Sequence, residues 1–301
     1  MKIFITGGTG FVGRNLSNLL LNRGHQVIAT GTRPNQRQIS HENFTYISAD
    51  TTRKGEWQAS LKDADAVVNL AGRTIFNLWT RKYKQLIYDS RILTTRNLVQ
   101  ALPQDKQVIL CSTSAAGYYG NRGEDILRES ETNGDDFLAQ VCRDWEAAAF
   151  QAEEKGHRVV TMRFGVVLGK NGGAMKQMIP AFRCFVGGPL GNGMQWFPWI
   201  HADDLVSAIL FVTENSNVKG ALNFVSPNPV RNFEFAATLG MSLKRPSMMP
   251  APAFMIRLML GEFGTSILYS QRAIPEKLSE YGFTFAYPDI GKAVRNIVSA
   301  S

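Results

Sequence analysis

Cysteine is scarce in this sequence. The chain of 301 residues holds three, Cys111, Cys142 and Cys184, widely spaced and without a Cys-x-x-Cys pair. That excludes a disulfide scaffold and a thiolate metal site, and it fits reduced thiols in the cytoplasm. No run of about 18 apolar residues occurs, so a membrane-spanning helix is excluded and no membrane partner is expected. The apolar stretch within Met1–Thr6 is too short for a signal peptide and lacks a cleavage pattern. Acid is missing from the start of the chain. No Asp or Glu precedes Glu42, whereas Lys2, Arg14, Arg23, Arg33 and Arg37 supply five of the net eight positive charges. A nucleic-acid surface would interleave such charges with aromatics. The one short block that does so, Arg81-Lys82-Tyr83-Lys84, reads as a solvated helix face, so no nucleic-acid partner is expected.

Apolar residues make up 44% of the chain, enough for a packed core. Short apolar strands are expected at Lys2–Thr6, Gln26–Thr30, Phe44–Ser48, Ala66–Leu70, Val108–Ser112 and Val159–Met162. Helical patterns separate most of them, near Trp57, over Lys82–Leu102 and over Asp136–Glu154. The alternation predicts an α/β fold, a Rossmann-type doubly wound parallel sheet. After Arg163 glycines cluster amid Trp196, Phe197 and Trp199. Prolines then precede an apolar helix over Phe254–Leu260. Residues 1–165 and 198–226 are assigned to the nucleotide-binding domain. Residues 166–197 and 227–301 are assigned to a smaller substrate lobe over the C-terminal edge of the sheet. The aromatics at 196, 197 and 199 read equally as pocket lining or as core between lobes.

The first strand runs into Gly7-Gly8-Thr9-Gly10-Phe11-Val12-Gly13 and then a helix. Gly7-x-x-Gly10-x-x-Gly13 in that context supplies a tight turn, a close backbone approach to a pyrophosphate and a close helix–strand contact, with the helix N-terminus aimed at the phosphates. Where an NAD enzyme places an acid after its second strand, this chain has Thr32-Arg33. Arg33 suits a 2′-phosphate, and Arg14 offers a second charge, so the expected cofactor is NADP(H).

These residues resemble the extended short-chain dehydrogenase/reductase superfamily, and within it the epimerase-like family related to nucleotide-sugar epimerases and dehydratases. The resemblance covers essentially the whole chain. Its landmarks are Gly7–Gly13, Asn69-Leu70-Ala71-Gly72, Asp89-Ser90-Arg91, Ser112–Gly120, Cys142-Arg143-Asp144-Trp145-Glu146, Arg163–Gly169, Trp199-Ile200-His201 with Asp203-Asp204, and Gln271–Pro275. It implies that Asp50 faces the adenine, that Leu70, Ala71 and Gly72 pass beneath the cofactor, and that Val167 walls the nicotinamide. It places Arg91 where members often carry Asn, within reach of the cofactor. His201 is read as structural, and no metal ligand set is expected.

Members that oxidise a sugar hydroxyl use Ser, Tyr and Lys, with Lys one turn after Tyr on a helix. Ser114 matches the serine. Counting back from Trp145-Glu146, Leu138 and Cys142 occupy the other two positions, and no Tyr in the chain has Lys four residues on. Leucine cannot accept a proton, and Cys142 is expected to have no cationic partner and to stay a thiol. Two readings remain. One is an NADP-dependent oxidoreductase or epimerase-type enzyme on an unidentified small molecule, with Ser114 and Tyr118 as its catalytic groups. The other is a non-catalytic NADP(H)-binding redox sensor.

Overall fold

A strand with no polar residue has no face to leave in water, so it must be covered on both sides. The computed structural model describes residues 1–36 and 38–299; Arg37 of the basic N-terminal run lies outside them. Seven parallel strands form the central sheet: β1 (Lys2–Thr6), β2 (Gln26–Gly31), β3 (Phe44–Ser48), β4 (Ala66–Asn69), β5 (Ile109–Ala115), β6 (Arg158–Phe164) and β7 (Gly220–Phe224). Their order is β3-β2-β1-β4-β5-β6-β7. Successive side chains point to opposite faces. Ile3, Ile5, Ala66, Val68, Ile109, Cys111, Val160 and Met162 enter one core, while Phe4, Val67, Leu110 and Val159 enter the other.

Helices α1 (Phe11–Asn22), α2 (Arg81–Ala101), α3 (Phe137–Phe150), α4 (Met175–Arg183), α5 (Ala202–Glu214), α6 (Asn232–Leu243), α7 (Ala253–Ser266), α8 (Glu276–Glu280) and α9 (Ile290–Ser299) complete the fold. Leu16 and Leu20 of α1 and Leu205 and Ile209 of α5 cover the first core, and Leu98 of α2 and Ala149 of α3 join the second. The doubly wound parallel sheet expected from the sequence is the observed one. The differences are local. The helix near Trp57 is a 3-10 turn over Glu56–Leu61, and the helix begun at Asp136 ends at Phe150. Asp136 is its cap, accepting from Leu138 N and Ala139 N at 2.9 and 3.2 Å. Tyr83, placed on a solvated face by its basic neighbours, is buried, and its hydroxyl donates to Thr74 O at 2.7 Å.

Chain beyond the sixth strand arches over the C-terminal ends of the strands. Phe263 of α7 lies 5.6 Å from Phe76 and 5.5 Å from Trp79, on the loop after β4. Arg272-Ala273 pairs with Ile126-Leu127, in the segment after β5. Residues 276–285 return to the sheet, where Leu278 is in the first core and Phe283 and Phe285 pack on it. Trp199 and Phe197 are core residues, whereas the Trp196 ring lies between the guanidinium groups of Arg231 and Arg272, at 4.4 and 4.5 Å.

Candidate functional site

Strand order reverses between β1 and β4, the place where open parallel sheets bind ligands in a crevice beyond the strands' C-terminal ends. Gly7 leaves β1 with φ +66°, and Gly10 N donates to Gly7 O at 2.9 Å to close the turn. A side chain on Gly13 would overlap the backbone of Gly7 and Gly8, so only glycine lets α1 start this close to the strand. The cap of α1 is Gly10, with no side-chain hydrogen bond and no acid in the first turn. Its leading N–H groups and positive dipole end therefore face the crevice without an internal anion. Phe11 and Val12 follow in the first turn. The Phe11 ring fills the space a side chain on Gly169 or Gly172 would take, and so locks α1 to the hairpin that carries Val167.

At the end of β2, Thr9 covers Gly31, and the Tyr46 hydroxyl donates to Arg33 O at 2.6 Å, fixing the backbone beneath the arginine. Thr32 and Arg33 are exposed. Arg14 Nη1 donates to Gln38 Oε1 at 2.9 Å. Neither Arg14 nor Arg33 is paired with a carboxylate among the described residues. Asp50, after β3, is exposed and accepts from the Thr52 hydroxyl at 2.6 Å. After β4, the Thr6 hydroxyl accepts from Leu70 N and Ala71 N, both at 3.2 Å, and pins that loop beside the glycine turn.

Gly72 rests on Arg91. A Cβ there would sit 3.3 Å from the guanidinium carbon. Arg91 Nη1 donates to Arg73 O and Ile87 O at 3.1 and 3.0 Å, and the group lies 5.2 Å from the Trp145 ring. Burial lowers its pKa, and Cys142 is among the groups that face it. The expectation that Cys142 has no cation nearby is thus corrected, because Arg91 reaches across from α2. The thiol still does not ionise. Burial, followed by the charge of Glu146, pushes Cys142 up to about 12 against the pull of Arg91 and Ser114. Leu138 packs into an apolar cluster with Trp79, Tyr83 and Phe263. Neither residue can act as the missing Tyr-Lys pair.

Ser114 is 1% exposed and its hydroxyl donates to Glu146 Oε1 at 2.6 Å. Arg163 closes on the same carboxylate with two contacts, Nε to Oε1 at 2.8 Å and Nη2 to Oε2 at 2.9 Å. Its remaining nitrogen donates to the Tyr119 hydroxyl at 2.9 Å and to Glu129 O at 3.1 Å. Tyr119 in turn donates to Asn223 Oδ1 at 2.7 Å, and burial pushes its pKa up to about 12. Tyr118 lies over this network with its ring 3.6 Å from the Arg163 guanidinium. It is half-buried, and its hydroxyl has no partner among the described residues. Arg163, Glu146, Tyr119 and Asn223 were given no role from sequence. The available signal was an arginine inside a strand of mostly apolar residues and a glutamate on the buried face of α3. His201 caps α5 by accepting from Asp203 N at 3.1 Å, and its ring stacks on Tyr287 at 3.9 Å, a structural placement.

With this geometry in place, the comparisons with known proteins have a physical counterpart. The model of the NAD dependent epimerase/dehydratase family matches residues 3–224, and that of a domain of unknown function matches residues 251–297. An epimerase family protein of Staphylococcus haemolyticus is 41% identical over 305 residues, covering 100% of both chains. The chloroplastic epimerase family protein SDR39U1 homolog of Arabidopsis thaliana is 40% identical over 304 residues, 99% of this chain and 87% of that one. The human epimerase family protein SDR39U1, solved with NADPH, superposes with a TM-score of 0.86 at 31% identity over 100% of both chains. Among the described residues no helix is long and apolar enough to cross a membrane, and no cluster of residues fit to hold a metal occurs. The glycine turn after β1, the doubly wound order and the match over most of the chain agree: this protein belongs to the NAD dependent epimerase/dehydratase family.

Proposed function

We propose that this chain binds NADP(H) in the crevice between β1 and β4 and uses it for oxidoreductase or epimerase-type chemistry on a small molecule in the cytoplasm. The carrying observation is the pair Arg33 and Arg14 beside an uncapped glycine turn, with no carboxylate at the end of β2. A 2′-phosphate supplies the charge these groups lack, and an acid for a ribose hydroxyl is absent. The human relative solved with NADPH supports the same cofactor. Gly7, Thr9, Gly10, Phe11, Val12 and Gly13 take the pyrophosphate, Thr32 and Arg33 the adenosine phosphate, and Asp50 the adenine. Leu70, Ala71 and Gly72 form the floor, and Val167 the nicotinamide wall. Arg91, beneath Gly72 and beside Cys142, provides the cation on the side where the lysine is missing.

The remaining group with a free proton is the Tyr118 phenol, and Ser114 acts from within its bond to Glu146. Segments 166–197 and 227–301 make up the substrate lobe in this reading, with Phe263 of α7 packed on Phe76 and Trp79 after β4. The test is transfer of deuterium from labelled NADPH to a panel of small carbonyl compounds. Tyr118→Phe should keep cofactor affinity and lose about 10²–10⁴-fold in turnover. Unchanged turnover in Tyr118→Phe would remove the phenol from the mechanism. Leu138 in its apolar cluster and the un-ionised Cys142 favour a second reading, a non-catalytic NADP(H) sensor. That reading gains if label never leaves the cofactor.

A further inference from the structure

Two long stretches of the chain, each including part of the substrate lobe, contain no acid at all. Between Glu154 and Asp203, and again between Glu234 and Glu262, neither Asp nor Glu occurs. The fold lays parts of them side by side. Leu190 and Ala251 form a bridge, Gly191 N donates to Ala251 O at 2.8 Å, and Ala251 N donates to Pro189 O at 2.9 Å. Arg245 closes the seam with its guanidinium 4.7 Å from the Phe185 ring. On this seam and on the adjoining face of α7 stand Val186, Met248, Met249, Phe254, Leu258 and Met259, all exposed. Before the backbone break at Gly261, Phe254, Met255, Leu258 and Met259 share a broad exposed arc of α7, while Ile256 is buried. Interleaved with them are Arg183, Lys244, Arg245 and Arg257, exposed and without an ion pair among the described residues.

So much large apolar surface in one region calls for an occupant, and its chemistry narrows the choice. A second copy docked about a two-fold axis would bring these four unpaired cations against their own copies. A peptide groove would half-cover the side chains that line it, yet Met248 is 88% and Leu258 83% exposed, so they project. Projecting apolar side chains set among unpaired cations fit the boundary between anionic headgroups and acyl chains. We propose that this face docks on an anionic lipid surface, with α7 and the Met248-Met249 corner inserted and the four cations on the lipid phosphates. The sequence-based expectation of no membrane partner rested on the lack of a spanning run. A short helical stretch lying in the interface, such as α7 up to its break at Gly261, needs no such run.

Co-sedimentation of the full chain with vesicles tests this. One set is phosphatidylcholine alone, and in the other about one third of the lipid is phosphatidylglycerol. Binding should appear with the anionic set, decline in high salt, and weaken about fivefold for each of Lys244→Gln, Arg245→Gln and Arg257→Gln. Leu258→Ser with Met259→Ser should abolish it, while the thermal unfolding curve stays that of the parent. Absence of binding, or equal binding to both vesicle sets, overturns the proposal. So does a concentration-dependent dimer that Leu258→Asp dissociates while the vesicles are ignored, which would assign the face to a second copy. Binding of poly-glutamate without vesicle binding also overturns it, in favour of an acidic peptide.

Discussion

Glu146→Gln removes one charge from the most enclosed ion pair in the molecule. The Glu146 carboxylate accepts from Ser114, from Arg163 Nε and from Arg163 Nη2, at 2.6, 2.8 and 2.9 Å. Side-chain exposure is 4% for Arg163 and 6% for Glu146, so solvent cannot replace the lost charge. Burial alone would lower the Arg163 pKa, but the hydrogen bonds and charge of Glu146 more than offset it and raise it. A guanidinium is too weak an acid to give up its proton, so it stays charged when its partner is neutralised. Leaving one buried ion uncompensated costs about 3–5 kcal/mol, against at most about 1 kcal/mol for an exposed pair. At about 2–4 °C per kcal/mol, Tm should fall by roughly 6–20 °C. Urea unfolding and calorimetry, at saturating NADPH and without it, give the number. Glu146→Leu combined with Arg163→Met should recover most of the loss, because an apolar pair leaves no buried charge. A Glu146→Gln protein within about 1 kcal/mol of the parent would refute the argument that this pair is desolvated.

The other expectations are more local. Titration should show NADPH bound about 10- to 150-fold more tightly than NADH, the worth of a charge-assisted contact, and Arg33→Asp should erase the difference; equal affinities in the parent would count against Arg33 as the 2′-phosphate ligand. Iodoacetamide at mildly alkaline pH should label exposed Cys184 and spare Cys142, whose thiol is pushed up to about 12; mass spectrometry finding Cys142 labelled in the native protein would contradict its burial. Stability should fall as pH drops. Burial lowers the pKa of His157 and His201, so below the unfolded value of about 6.5 the unfolded chain takes up more protons than the folded one. Asp204, raised mainly by burial, has the opposite sign: its share is present below the unfolded carboxylate value and is lost as pH rises through the folded one. His201→Asn keeps a capping acceptor for Asp203 N and should flatten the slope below about 6.5; an unchanged slope would remove His201 from the account.

The strands and the glycine turn were legible because their signals are local. Consecutive apolar residues such as Ile3-Phe4-Ile5 and Ala66-Val67-Val68 mark strands buried on both faces, and Gly7, Gly10 and Gly13 are read directly from spacing. Strand β7 was harder to read. Gly220–Phe224 carries Asn223, which looks like a loop residue until its side chain is seen bonded to Tyr119, Leu127 O and Ile274 O. The Trp57 segment misled because a single buried tryptophan on a short turn imitates one face of a helix. Ser114 was singled out by its neighbours in sequence. Its partners Glu146 and Arg163 lie 32 and 49 residues further along the chain, and no spacing rule joins them. The cation near Cys142 was missed for the same reason, since Arg91 comes from another helix and arrives only through packing under Gly72.

The two ends of the crevice are built from different materials, and this makes binding and chemistry separable. The pyrophosphate end is made of backbone: an uncapped helix, a positive-φ glycine, and a loop held by the Thr6 hydroxyl. Its geometry depends on β1 and α1, whose residues are core, so it persists whatever the reaction end carries. The proposed reaction end is made of side chains on α3 and β5 and on the turn after β5 that carries Tyr118. There Leu138 belongs to the apolar cluster that joins Trp79 to Phe263 of α7, and Cys142 is a buried neutral group beside Ser114. Both substitutions for the family pair are therefore compatible with the packing, and neither disturbs the sheet. A chain can lose the Tyr-Lys pair in this way and keep its cofactor site intact. It follows that Tyr118→Phe and Ser114→Ala belong to the chemistry alone and should leave NADPH affinity unchanged, whereas a Cβ on Gly13 would collide with backbone and remove the affinity itself.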